Sequence, residues 1–110
     1  PAVLFKTGSA VIDPRFTNLL DSVIASLSRY QIKSLEVIGH TDNTGAYAQN
    51  LVLSRNRAKS VLDYITHKMG LVKVSYTGRA DEVPVATNET VGGRSANRRV
   101  ELIISYTTAP

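Results

Sequence analysis

The chain has 110 residues, a formal charge of +4 and a pI near 9.6; with 43% hydrophobic and 20% charged residues it is balanced like one ordinary globular domain. It has no cysteine, which excludes disulfides, thiolate catalysis and cysteine metal sites, and no apolar run approaches the roughly 18 residues of a membrane span. The basic balance favours acidic partners in general, whether nucleic acid, anionic lipid or an anionic wall polymer, and chooses none of them.

The chain begins at Pro1 without an initiator methionine or signal peptide, so it reads as a fragment excised or processed from a larger protein. Residues 2–5 are a short apolar run between Pro1 and Thr7-Gly8-Ser9, the pattern of a buried strand leaving into a loop. Asp13-Pro14 is a helix start, with Asp as cap and Pro at the first helical position. Phe16, Leu19, Leu20, Val23, Ile24 and Leu27 then recur at helical spacing and predict a packing helix over 14–29. A second strand over 34–39 carries Leu35, Val37 and Ile38 and stops at Gly39.

Thr41-Asp42-Asn43-Thr44-Gly45 has the residue types of turns and helix N-termini. Behind it Tyr47, Leu51, Ser54, Ala58, Val61, Leu62, Ile65 and Met69 fall within an arc of about 100°, predicting a long amphipathic helix over 46–69 that Gly70 closes. Asn50 and Arg57, seven residues apart, share one flank of that stripe. Asp42 stands just before the helix, where unpaired amides and the helix dipole favour a carboxylate. An acid and a base are thus set around one corner. The plainer reading of the same residues is a turn-forming Asp, an Arg whose stem covers apolar surface, and an ion pair between the two.

Val72, Val74 and Tyr76 alternate with polar residues in a third strand ending at Gly78. Residues 81–99 read as a long polar loop with one helical turn after Thr90; loops of about 20 residues in small domains are usually functional. Val100 to Tyr106 is a closing strand, nearly all apolar and therefore expected to be central, followed by a tail. The order β-α-β-α-β-(loop/short helix)-β predicts an α/β two-layer sandwich over 1–110, a mixed four-stranded sheet with helices on one face.

Enzyme chemistry finds little support. His40 and His67 are the only histidines and do not form an i, i+4 metal pair. His40 beside Asp42 reads as a structural loop residue, and Asp81-Glu82 as solvated carboxylates. Nucleophile-elbow and phosphate-loop motifs are absent, and Asp42-Asn43-Thr44-Gly45 lacks calcium-loop spacing. A nucleic-acid reading would rest on Arg79, Arg94, Arg98 and Arg99 with Tyr76 and Tyr106, without the aromatic motif of sheet-based RNA binders.

Two long blocks carry a more specific signal: Gly39-His40-Thr41-Asp42-Asn43-Thr44-Gly45 with Asn50 and Leu53-Ser54-Arg55-Asn56-Arg57-Ala58, and Gly78, Pro84, Ala86, Asn88 and Thr90 leading to Gly93-Arg94-Ser95-Ala96-Asn97-Arg98-Arg99-Val100-Glu101. Together with Phe5-Lys6-Thr7-Gly8-Ser9-Ala10 and Pro14, they resemble OmpA-like domains, the peptidoglycan-binding modules of outer-membrane proteins, peptidoglycan-associated lipoproteins and flagellar stator proteins. The resemblance covers nearly the whole chain and implies the same α/β sandwich.

It also implies a non-catalytic, cofactor-free module that binds the peptidoglycan stem peptide, whose diaminopimelate carries an ammonium and a carboxylate on one carbon. Such a head group needs one anion and one cation side by side. The resemblance implies that Asp42 takes the ammonium and Arg57 the carboxylate, with Asn50, Arg98, Thr7 and Gly8 assisting, while Arg94 and Arg99 fix the long loop or face solvent. As groups near a surface, Asp42 and Arg57 should cost about 1 kcal/mol or less when removed. The implied setting is the periplasm, with a missing N-terminal anchor or barrel as the link to a membrane; dimerisation is compatible with it. Lys6, where the family often has an acidic residue, and Ala80 and Asp81, where it more often has Gly and Glu, depart from the pattern. The alternative is the same fold serving as a protein–protein module in a secretion or motility assembly.

Overall fold

A computed structural model describes residues 5, 6, 8–71 and 73–108, and of Phe16 and Thr108 the backbone only. A turn of 3-10 helix, Pro14–Phe16, opens into α1 (Thr17–Leu27); β1 (Tyr30–Gly39), α2 (Tyr47–Met69), β2 (Val74–Gly78), α3 (Val91–Asn97) and β3 (Val100–Thr108) follow. The Asp13 carboxylate accepts the Arg15 amide at 3.0 Å and Pro14 occupies the first turn, as the sequence predicts. Gly70 closes α2 with φ 67°, its amide donating to the Thr66 carbonyl at 2.8 Å.

Several boundaries differ from expectation: β2 starts at Val74, not residue 72, and β3 runs to Thr108, not residue 106, so Thr107 belongs to the strand and not to a tail. α1 stops at Leu27, not residue 29, and β1 starts at Tyr30, not residue 34. The extra strand residues Tyr30 and Gln31 are exposed; ladder pairing with Thr108 and Thr107 extends the strand where burial does not. Periodicity alone could not locate that pairing.

Among the described strands the order is β2-β1-β3, parallel between β1 and β2 and antiparallel between β1 and β3, so the sheet is mixed. Four strands were expected; three are described. Residues 2–4 of the first expected strand, and Val72 at the start of the third, lie outside the described residues, while Phe5 forms an isolated antiparallel bridge with Ile12. β3, expected to be central, pairs along β1, which takes the middle place among the described strands, and its Ile103 and Tyr106 are 53% and 55% exposed.

The core lies between the sheet and the two long helices. Leu35 and Val37 of β1 meet Ala58, Val61, Leu62 and Ile65 of α2 and Leu20 of α1, with Val100, Leu102 and Ile104 packed at the margin. Each aliphatic side chain of that size buried fully contributes about 1.5–3 kcal/mol. Two glycines let α2 sit close to the strand ends. A Cβ at Gly39 would stand 2.1 Å from the Ser54 carbonyl oxygen, and one at Gly78 2.4 Å from the Arg55 amide nitrogen. The ends of β1 and β2 are thereby locked under the first half of α2, where the chain turns into the polar loop.

The predicted stripe of α2 faces this core except at its start: Tyr47 is 51% exposed and gives its hydroxyl to Glu82. Glu82, expected to be simply solvated, therefore helps tie the long loop to α2. Just before that loop Ala80 is fully buried at φ 48°, a left-handed conformation that glycine adopts without strain. That backbone geometry accounts for the glycine more usual here in the family the sequence resembles.

Candidate functional site

β1 delivers His40, Thr41 and Asp42 in sequence to the end of the sheet, and all three are buried. Backbone bonds continue the sheet beyond its last residue: the His40 amide donates to the Arg99 carbonyl and the Thr41 amide to the Ala80 carbonyl, both at 2.8 Å. Asp42 then closes an Asx turn, its Oδ1 accepting the Thr44 amide at 2.8 Å. It does not cap α2, whose N-cap is Ala46 without a side-chain bond. Asn50, on the first turn of α2, donates Nδ2 to the Thr44 carbonyl at 2.9 Å and fixes the far side of the same loop.

The ion pair of the plainer reading, between Asp42 and Arg57, does not form. Asp42 Oδ2 pairs instead with Arg98 Nη1 at 2.5 Å. Arg57 donates Nε to the Ser9 carbonyl at 2.9 Å and Nη2 to the Lys6 carbonyl at 3.3 Å, and its guanidinium carbon lies 5.1 Å from the centre of the Phe5 ring. No carboxylate ion-pairs with it among the described residues, and it is 8% exposed. The physical reason is reach: the Lys6 and Ser9 carbonyls lie within hydrogen-bond distance of Arg57, whereas the end of α3 brings Arg98 to Asp42. Lys6 therefore contributes its carbonyl, while its side chain is exposed.

Burial pushes Asp42 up, but the Thr44 amide and the Arg98 guanidinium outweigh it and hold the carboxyl below its ordinary value. Burial pushes Arg57 down and the Arg98 charge adds to this, with Asp42 opposing. An arginine remains a cation under such pressure. These two residues are thus a fixed anion and a fixed cation.

The cavity between them is about 720 Å³ and open to solvent. Of the residues singled out in the sequence, Asp42, Arg57, Asn50, Arg98 and Gly8 all line it; Thr7 lies outside the described residues. Sequence reasoning passed over Gln49 and Leu53, which stand at four-residue spacing before Arg57 on α2, and assigned Arg94, one turn before Arg98, to the loop or to solvent rather than to the cavity. That i, i+4 spacing was the available signal.

The long loop is built around Asn97, fully buried and fully bonded: Oδ1 accepts the Val85 and Ala86 amides, and Nδ2 donates to the Ala86 carbonyl and Asn88 Oδ1. α3 runs for seven residues from its cap, Thr90, whose hydroxyl accepts the Gly93 amide, where a single turn was expected. Arg94 donates to the Asn88 carbonyl at 2.9 Å and Arg99 to the Val83 carbonyl at 2.9 Å, so both hold the loop; Arg94 also faces the cavity.

His40 is buried beneath this loop, away from the cavity lining, with Nε2 2.7 Å from Glu101 Oε1. Burial pushes the imidazole below its ordinary value, although Glu101 pulls it up. A neutral ring with the proton on Nε2 satisfies that bond and leaves Nδ1 without a partner among the described residues. Its contact ties the segment after β1 to Glu101 of β3.

Fold and site together define a small mixed α/β domain with an acid, several guanidinium groups and an amide around one open cavity at the end of its sheet. A model of the OmpA family matches residues 4–98, and the chain belongs to that family. It is 36% identical over 104 residues to the probable lipoprotein YiaD of Escherichia coli, covering 94% of this chain and 48% of the relative. It is 32% identical over 105 residues to the peptidoglycan-binding protein ArfA of Mycobacterium tuberculosis, covering 94% of this chain and 32% of the relative. Among solved structures, the cell wall anchor of the T6SS from Pseudomonas aeruginosa superposes with a TM-score of 0.86 at 33% identity, over 94% of this chain and 76% of that one. The chain spans half or less of the length of these two curated relatives.

Proposed function

We propose that this domain binds peptidoglycan without chemistry, taking the free end of diaminopimelate in the stem peptide, and so tethers a larger envelope protein to the wall in the periplasm. The observation that carries the reading is Arg57: a buried guanidinium beside an open cavity, whose direct contacts among the described residues are two carbonyls and a ring, with the Asp42 carboxylate on the same lining but not bonded to it. A buried cation without a charged partner is costly, and a ligand carboxylate supplies that partner. The ligand ammonium goes to Asp42, with Asn50 holding the loop, Arg98 sharing Asp42, Gly8 assisting from the cavity lining, and Thr7, outside the described residues, assigned with it. Relatives named as peptidoglycan-binding protein and cell wall anchor support the reading.

The test is sedimentation with purified sacculi. Wild type should co-sediment and be displaced by free diaminopimelate, while a stem tripeptide with lysine in place of diaminopimelate, whose free end carries an ammonium but no carboxylate, should displace it poorly. Asp42→Ala and Arg57→Ala should lose binding while remaining folded. Folded variants of both that still sediment with sacculi would rule the reading out.

A further inference from the structure

The charges around the cavity do not balance. Its ionisable lining is Asp42 against Arg57, Arg94 and Arg98, an excess of two positive charges. Both Asp42 oxygens are already engaged, Oδ1 by the Thr44 amide and Oδ2 by Arg98. Arg57 and Arg94 donate only to neutral carbonyls among the described residues. A head group with one ammonium and one carboxylate brings no net charge and leaves the excess where it was. A ligand with a second carboxylate reduces it.

We infer that the cavity selects a peptide carrying two carboxylates, and that Arg94, on the α3 side, is the specificity-determining residue for the second. Arg94 is suited to this because only its Nη1 is bonded, to the Asn88 carbonyl, which steadies the side chain while its other guanidinium nitrogens make no bond among the described residues. It is half-buried, so a carboxylate reaching it exchanges little water for a charge-assisted bond. The inference rests on the stem-peptide reading: in a tripeptide stem the second carboxylate belongs either to the acylated end of diaminopimelate or to the neighbouring glutamate.

The experiment titrates three synthetic peptides into the protein: L-alanyl-γ-D-glutamyl-meso-diaminopimelate, and the same peptide amidated at each of those two carboxylates in turn. Wild type should bind one of the amides roughly tenfold or more weakly than the parent. Arg94→Gln should bind that amide and the parent alike, and Arg94→Lys should recover part of the difference. If amidation at neither position changes wild-type affinity, the two-carboxylate inference falls and the wall-binding reading stands. If Arg94→Gln weakens all three peptides by one common factor, Arg94 only shapes the loop, and its assignment falls. If wild type binds no peptide, the wall-binding reading itself fails and takes the inference with it.

Discussion

Asp42 and Arg98, 56 residues apart in sequence, meet at 2.5 Å between the end of β1 and the end of α3. The bond joins the loop that opens the site to the segment that walls it, so each charge holds the other's element in place. Asp42→Asn keeps an oxygen for the Thr44 amide and removes the charge; Arg98→Met removes the guanidinium and keeps the stem. A double-mutant cycle on urea unfolding should give a coupling of roughly 1–2 kcal/mol, because Asp42 is 6% exposed and the bond is charge-assisted. A coupling indistinguishable from zero would mean that the pair does not organise the site.

Arg57 invites a sharper separation of stability from binding. The expectation of a surface group costing about 1 kcal/mol or less is too low, since Arg57 is 8% exposed and its truncation takes from the Ser9 carbonyl its Arg57 donor and leaves the Lys6 carbonyl with the Ser9 amide alone. Arg57→Ala should destabilise by about 2–4 kcal/mol in chemical denaturation. Arg57→Lys keeps a cation but not the planar fork. It should fold with a loss of about 1 kcal/mol yet bind sacculi at least tenfold more weakly. Equal affinity of the lysine variant and wild type would show that charge alone suffices at this position.

Much of this arrangement is legible in the order of residues. The stripe of α2 sets its length and face, Gly70 its end, and Asp13-Pro14 the entry to the first helix, because each signal is local. Asp42, Asn50 and Arg57 could be brought to one corner for the same reason, all lying within one turn-helix unit. The partner of Asp42 could not, since it depends on how α3 docks. α3 itself is hidden by Gly92 and Gly93, poor helix formers; what makes it a helix is Thr90 at its cap and Asn97 at its end, each acting through tertiary or capping bonds. With a single turn expected, Arg94 reads as a residue of the loop or of the solvent face, since it shares its face with Arg98 only if the helix continues. Tyr47 was misplaced for the opposite reason: a helical period runs past the edge of the sheet, and burial ends where the sheet does.

Close packing predicts opposite outcomes for two glycines. At Gly39 an added methyl meets the Ser54 carbonyl oxygen at 2.1 Å, and backbone cannot step aside as a flexible side chain does. Gly39→Ala should cost roughly 1–3 kcal/mol or more and lower the melting temperature accordingly. At Gly92, inside α3, nothing lies within 4 Å. Gly92→Ala should raise stability by about 0.5–1 kcal/mol through helix propensity. Thermal unfolding of the two variants decides the point, and a tolerated methyl at Gly39 would contradict the close seating of α2 on the sheet.

His40 makes stability depend on pH in a defined window. Its folded-state value lies below the ordinary 6.5, burial being the main cause, so in mildly acidic solution the unfolded chain takes up a proton that the folded chain refuses. The stability associated with the neutral ring is therefore fully present above about pH 6.5 and is lost as pH falls from there toward the folded value. Glu101 adds a second, lower window, since its carboxyl is held below the ordinary 4.5 by hydrogen bonds from His40 and Arg99 that outweigh its burial; its contribution is lost only as pH falls below that range. Replacing His40 by glutamine, which does not titrate and can still donate to Glu101, should flatten the stability profile between pH 7 and pH 5 and leave the steeper fall below pH 4.5 in place. Melting temperatures of wild type and His40→Gln across that range provide the check. Parallel profiles from pH 7 to pH 5 would mean that the imidazole beneath the long loop is not the group that titrates.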